Sequence, residues 1–404
     1  MKRPGAGWIY LAAFITVGLS FSMLGPALTY LQERADVSKG AIGVLFVAQS
    51  LAYLVGALFS GRLYDHGFGH RAMSGGLVGM AGAALLVPHT TSVAMLAIPF
   101  SLIGFFGAFV DVGGNTLVVW HSRRTGSVRL LNALHLFFGI GALLSPGFVN
   151  RSIAWSGSLA LVGAVIAIYS AVIAGLILLH ETPVHTALES EVDSHVDQPT
   201  AAATSPQTPV RILAVIGFFF VLYVGVEIGF SGWLKTYAEG IDMTGNAPTI
   251  LNTGFWVSFT LGRLLAVVLA RRVRPGLMLA GSCALTVALL AVMAIADGAH
   301  AMVWVTTILI GVAVAPQFAT MIAYAEEHIT LSGRSTSWFV SASGIGGLAL
   351  PFLIGQLLDR SSGAMPVAVL VAAIAATAWL LVVRRSLHNH VGVPPELLHE
   401  PARA

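Results

Sequence analysis

Twelve stretches of about twenty mainly apolar residues run through this chain, which is the length a helix needs to cross a bilayer core. They lie at 7–30, 40–62, 71–88, 94–119, 129–150, 156–179, 211–237, 247–270, 276–296, 299–323, 335–358 and 364–383. Charged residues make up only 10% of the chain, against roughly 25% in a soluble domain. That is too little charge to cover a water-exposed surface. The pattern predicts an all-α membrane protein with twelve transmembrane helices. Met1-Lys2-Arg3 opens like a signal peptide, but the apolar run continues to Tyr30 without a small-residue cleavage site and reads as the first span. The lone cysteine, Cys283, excludes an internal disulfide framework. A net charge of +3, widely scattered, gives no nucleic-acid footprint.

One connection is long. Residues 181–210 carry Glu181, Glu189, Glu191, Asp193 and Asp197 with no Lys or Arg, then run into Ala, Thr and Pro. This composition predicts an acidic disordered tether. It divides the chain into a six-helix bundle over 1–180 and another over 211–386, followed by a tail over 387–404. With an inside amino terminus, 16 of the 21 Lys and Arg fall on the inner side and 5 on the outer. The positive-inside rule then places both termini and the tether in the cytoplasm, and the protein in the plasma (inner) membrane.

The halves echo each other. Gly139-Ile140-Gly141, with Leu143 and Pro146, returns as Gly344-Ile345-Gly346, with Leu348 and Pro351, at an offset of 205. Gly18, Gly25, Thr29 and Tyr30 return as Gly225, Gly232, Thr236 and Tyr237 at 207, as does Gly104 as Gly311. Two parallel repeats predict a pseudo-twofold axis along the membrane normal, with a site between the halves near the midplane.

The loop after the second stretch reads Gly61-Arg62-Leu63-Tyr64-Asp65-His66-Gly67-Phe68-Gly69-His70-Arg71. Gly61 would let helices approach closely, and Gly67 and Gly69 would make the turn. Asp65 would meet a helix amino terminus or a cation, with Arg71 completing a gate. This loop resembles the signature of the major facilitator superfamily, departing from it at His66, where a basic residue is usual. Asp111-Val112-Gly113-Gly114-Asn115, Leu131-Asn132-Ala133-Leu134-His135, Tyr223-Val224-Gly225-Val226-Glu227 with Trp233, and Phe255-Trp256 with Gly262-Arg263 resemble its fucose–galactose–glucose branch, and within it the sodium-dependent glucose transporter group. The resemblance implies the major facilitator fold, a monomer, and secondary transport of a sugar. It also implies an acid in the first span of fucose-type members; here Ser20 holds the position equivalent to Glu227.

Ionisable groups inside a span cost about 2.5–3.5 kcal/mol each on insertion scales and face a cavity or a partner. Asp111, Glu227 and Arg263 stand out; Glu326 and Glu327 lie near a span end. Asp111 and Asn115 share a helix face, as do Asn132 and His135, Tyr223 and Glu227, and Asn252 and Trp256. Asp111, His135 and Arg263 fall at similar depth in the inner half, which predicts a switchable charge network or a fixed ion pair. Carboxylates and amides, including Gln49 and Gln317, suit a hydroxyl-rich ligand, and aromatic faces suit a sugar ring.

The expected function is a secondary active carrier of a hexose or polyol in a lipid bilayer, coupled to H+ or Na+. The alternatives are an exporter of amphipathic compounds and a non-transporting sensor or scaffold. No Walker loop, metal-ligand cluster or nucleophile elbow is present, so neither a cofactor nor an enzymatic activity is expected.

Overall fold

The computed structural model describes residues 7–122, 127–183, 209–329, 333–361 and 363–391. Most of the 181–210 tether and the end of the tail therefore lie outside the described residues. All twelve expected spans are present as apolar helices, and no strand occurs among the described residues. We number them one to twelve. They are Gly7–Ala35, Lys39–Tyr64, Gly69–His89, Val93–Val118, Ala133–Ser156, Ala160–Leu178, Val210–Gly240, Ala247–Leu269, Pro275–Ile295, His300–Glu326, Ser341–Leu358 and Ala364–Asn389. The last helix runs on to Val391.

Two spans are broken by proline. Span one consists of Gly7–Phe21 and Leu24–Ala35. Pro26 cannot donate to the Ser22 carbonyl, and its ring clashes with that turn. The equivalent position in span seven is Trp233, and that helix runs unbroken from Val210 to Gly240. Span ten breaks between Val314 and Gln317, where Pro316 does the same.

The packing repeats with the sequence. Span one packs on five as seven packs on eleven. Two packs on four as eight packs on ten, and three on six as nine on twelve. The halves meet along two equivalent seams, span five on eight and span eleven on two, and along one central contact of span one on seven. Small residues set these distances. A Cβ added at Gly141 would sit 2.3 Å from the Ile15 carbonyl oxygen, and one at Gly346 would sit 2.1 Å from that of Val221. Without a hydrophobic force between lipid-bathed helices, such backbone contact supplies the dispersion energy that holds them together.

The central contact is specific to the axis. Gly25 packs backbone to backbone on Gly232, where an added Cβ would lie 2.8 Å from the Gly232 oxygen. One turn on, the Thr29 and Thr236 hydroxyls meet at 3.3 Å. Each pair is related by the 207-residue repeat. Symmetry-related residues touch each other only on the axis itself, so the axis passes between them.

These contacts make glycine substitutions diagnostic. Gly346→Ala should lower the thermal unfolding midpoint of detergent-solubilised protein, with a cost of about 1–3 kcal/mol from overpacking. Gly82→Ala, where an added Cβ meets nothing within 4 Å, should leave the midpoint unchanged or raise it by the helical preference of Ala, about 0.5–1 kcal/mol.

Candidate functional site

Two carboxylates lie inside the bundle, one in each half. In the amino-terminal half, the Tyr53 hydroxyl of span two donates to Asp111 Oδ2 at 2.5 Å. The Asn115 amide, one turn below on span four, donates to Asp111 Oδ1 at 3.1 Å and to its carbonyl at 2.9 Å. Phe21 of span one packs edge-on against Tyr53. In the carboxyl-terminal half, the Tyr223 hydroxyl donates to Glu227 Oε2 at 2.5 Å, both residues being buried on span seven. Neither carboxylate joins an ion pair among the described residues.

The structure regroups the expected charge network. Arg263 caps the Phe259 ring at 4.5 Å. Its charge reaches Glu227 on span seven and His135 on span five. Asp111, expected beside Arg263 on depth alone, is instead held by Tyr53 and Asn115. Helical depth places groups along the membrane normal but does not say which way round the bundle they face. His135 stands edge-on to Phe14 of span one and within electrostatic reach of Arg263 of span eight. The Asn132 side chain lies outside the described residues.

The amides divide. Gln317 Nε2 is satisfied inside its own half by Thr286 Oγ1 at 2.9 Å and by the Ala313 carbonyl. It lines a small void with Tyr223 and Cys283 rather than the space between the halves. That corrects its expected ligand role. Asn252 donates to the Ser231 carbonyl at 2.9 Å, but its Oδ1 is buried without a partner. Gln49 Nε2, Ser20 Oγ and Thr307 Oγ1 are also buried without partners among the described residues. Trp256 packs among Phe255 and Phe259 and crosses the seam to Phe138 at 6.4 Å. Sequence reasoning missed Tyr53 and Thr307. Gln49 and Tyr53 are four apart, the spacing that exposed the other polar pairs, so Tyr53 was legible by the same rule.

The loop after span two departs from the sequence reading in two places. An added Cβ at Gly61 meets nothing within 4 Å among the described residues, where a close helix approach is expected. The turn rests on Gly67, at φ +80. Gly69 starts the span-three helix and packs against Thr182 and Leu117. His70 is buried. Its Nδ1–H donates to the His180 carbonyl at 2.8 Å and its Nε2 accepts from the Tyr10 hydroxyl at 2.7 Å. A carbonyl can only accept, which fixes this tautomer. His70 thus ties the end of span six to spans one and three, a role that residues 60 and 110 positions away do not announce. Arg71 is exposed, and the Asp65 side chain lies outside the described residues.

The halves are locked at the end away from the termini. Thr29 Oγ1 donates to Glu239 Oε2 at 2.5 Å, and Lys235 pairs with the other oxygen of Glu239. Asp359 accepts from the Lys39 and Gly40 backbone N–H groups at 2.7 and 2.9 Å. Asn150 donates to Asn246 at 3.1 Å. Deeper, Phe138 meets Trp256, Thr260 faces Gly139, and Leu54 faces Gly344. His135 lies one turn beyond Phe138 toward the termini.

Burial alone would push the Asp359 carboxyl up. The Ser38 hydroxyl and the Gly40 and Lys39 N–H groups outweigh it and hold the carboxyl below the ordinary aspartate range. A group so lowered contributes above its ordinary range and loses that contribution as pH falls through its lowered value. Asp359→Asn should therefore increase labelling of a cysteine placed at Thr29 by a membrane-impermeant thiol reagent. The parent should show the same increase only in acid, and none between neutral and mildly alkaline pH.

Known proteins agree with this architecture. The sequence profile described as Major Facilitator Superfamily matches residues 10–351. Sodium-dependent glucose transporter 1A of Mus musculus is 26% identical over 380 residues, covering 86% of this chain and 88% of its own. A Mycobacterium tuberculosis protein named "Probable nitrate/nitrite transporter NarK2" is 25% identical over 414 residues, covering 98% of this chain and 99% of its own. Among solved structures, FucP, a major facilitator transporter in the outward conformation, superposes with a TM-score of 0.66 at 20% identity, covering 94% of this chain and 98% of that one. The profile match spans most of the chain, and the twelve helices form two related halves packed in the same way: this chain is a multi-pass membrane transporter of the major facilitator superfamily.

Proposed function

We propose that the chain is a sugar symporter, carrying a hexose or related polyol together with H+ or Na+ by alternating access. The observation that carries this reading is the pair of tyrosine-held carboxylates, Asp111 and Glu227, one in each half and neither ion-paired among the described residues. A carboxylate held in low dielectric outside a close ion pair costs several kcal/mol. A proton, a sodium ion or the hydroxyls of a sugar would each repay that cost. Two groups in two halves allow one to meet the ion and the other the solute. The unpartnered Gln49 amide nitrogen and Asn252 amide oxygen offer a donor and an acceptor to the same hydroxyls. The relatives whose names carry glucose or fucose support the solute class. A nitrate or nitrite site fits less well, because an anion would face two carboxylates and one guanidinium.

The Lys and Arg distribution supports cytoplasmic termini in the plasma (inner) membrane. On that reading the lock described above lies on the outer side. Asp111→Asn should keep counterflow of labelled hexose in liposomes while losing accumulation driven by an H+ or Na+ gradient. Glu227→Gln should lower counterflow itself by about tenfold or more, the scale of one charged hydrogen bond. Absence of counterflow with every hexose in folded protein would overturn the sugar reading. Gradient-driven accumulation by Asp111→Asn equal to that of the parent would overturn its coupling role.

A further inference from the structure

A cavity lies inside the carboxyl-terminal half, apart from the contacts between the halves. It is about 960 Å³ in volume and sits among spans seven, nine, eleven and twelve, at the end away from the termini. Its size is that of a ligand pocket. Its walls are apolar, and several wall residues open sideways: Leu353, Val367 and Val371 are about half exposed or more. On span twelve the lining runs from Ala364 to Ala375. Eleven helical residues rise about 16 Å, close to half of the roughly 30 Å hydrocarbon core. The crevice is thus as deep as one leaflet and open to it.

Its rim is charged. Asp242 and Asp297 follow spans seven and nine and line the mouth, each at the left-handed turn that ends its helix, with φ of 62 and 44. No Lys, Arg or His lines the crevice among the described residues. Near the mouth, His300 Nε2 is engaged with the Ile241 carbonyl, and Arg360 directly precedes the lining residue Ser361. Apolar walls of leaflet depth beneath two carboxylates complement an amphipath whose head is a cation. We propose that this crevice holds a membrane phospholipid with a protonated amine head group, drawn from the leaflet on the side away from the termini. The acyl chains lie along spans eleven and twelve, and the ammonium meets Asp242 and Asp297 at the headgroup level. The polar groups of the lining gather at the mouth and the walls below are apolar, which suits a head group with acyl chains.

The test uses the full chain in nanodiscs of equal phosphatidylethanolamine and phosphatidylglycerol. Lipid retained on the released protein is counted by native mass spectrometry. The parent should retain phosphatidylethanolamine over phosphatidylglycerol by about fivefold, the worth of about 1 kcal/mol for a charge at the membrane surface. Asp242→Asn with Asp297→Asn should abolish that preference; Asn accepts the left-handed backbone, so this variant keeps its fold. Asp36→Asn, a carboxylate at the same end but outside the crevice, should keep the preference. Ala372→Trp should reduce retention of both lipids. Equal retention of the two lipids by the parent, or an unchanged preference in the Asp242/Asp297 variant, would overturn the proposal.

Discussion

Two helices can approach to backbone contact only where neither carries a side chain. In this transporter the decisive approach lies on the symmetry axis, where Gly25 meets Gly232 and Thr29 meets Thr236. A contact between equivalent residues has the same partner on either side. It can therefore act as a pivot around which the halves exchange their two equivalent seams. The seams of span five on eight and span eleven on two then open or close as a pair. The broken helix at Pro26 gives span one a joint beside this pivot, whereas span seven, with Trp233 at that position, stays rigid. One half bends where the other does not.

The same apolar surroundings that make glycine contacts sufficient make polar groups costly. Tyr53 and Tyr223 each hold a carboxylate that no cation pairs among the described residues. Such a group is poised for a mobile partner rather than a fixed one. Fixed partners are found where the structure needs permanence: His70 is bonded on both ring nitrogens, and Gln317 is bonded to Thr286. The distinction between a group that is satisfied and one that waits separates scaffold from site more sharply than residue type does.

Much of this was legible in the sequence, for a physical reason. A bilayer admits one backbone solution for such stretches, so composition and length reveal all twelve spans. The repeat reveals the axis, because glycines that must touch recur at one offset. What failed to show was azimuth. Asp111 and Arg263 share a depth, but span four turns Asp111 toward Tyr53 of its own half while Arg263 serves the other. Gln317 faces inward within its bundle, and Gly61 meets no neighbour among the described residues, neither of which spacing along one helix can report. His70 was hidden because its partners come from span one and the end of span six, far along the chain.

The account rests on the halves turning about the axis contact so that one end opens as the other closes. The most direct measurement is the distance between spin labels placed on exposed residues across the two ends: at Asp36 and Thr244 away from the termini, and at Arg71 and Arg274 on the terminal side. Distances would be read with and without a hexose that supports counterflow. The account predicts that the ligand shifts the two pairs in opposite senses, one lengthening as the other shortens. Two pairs that move in the same sense, or not at all, in protein that still performs counterflow would contradict it.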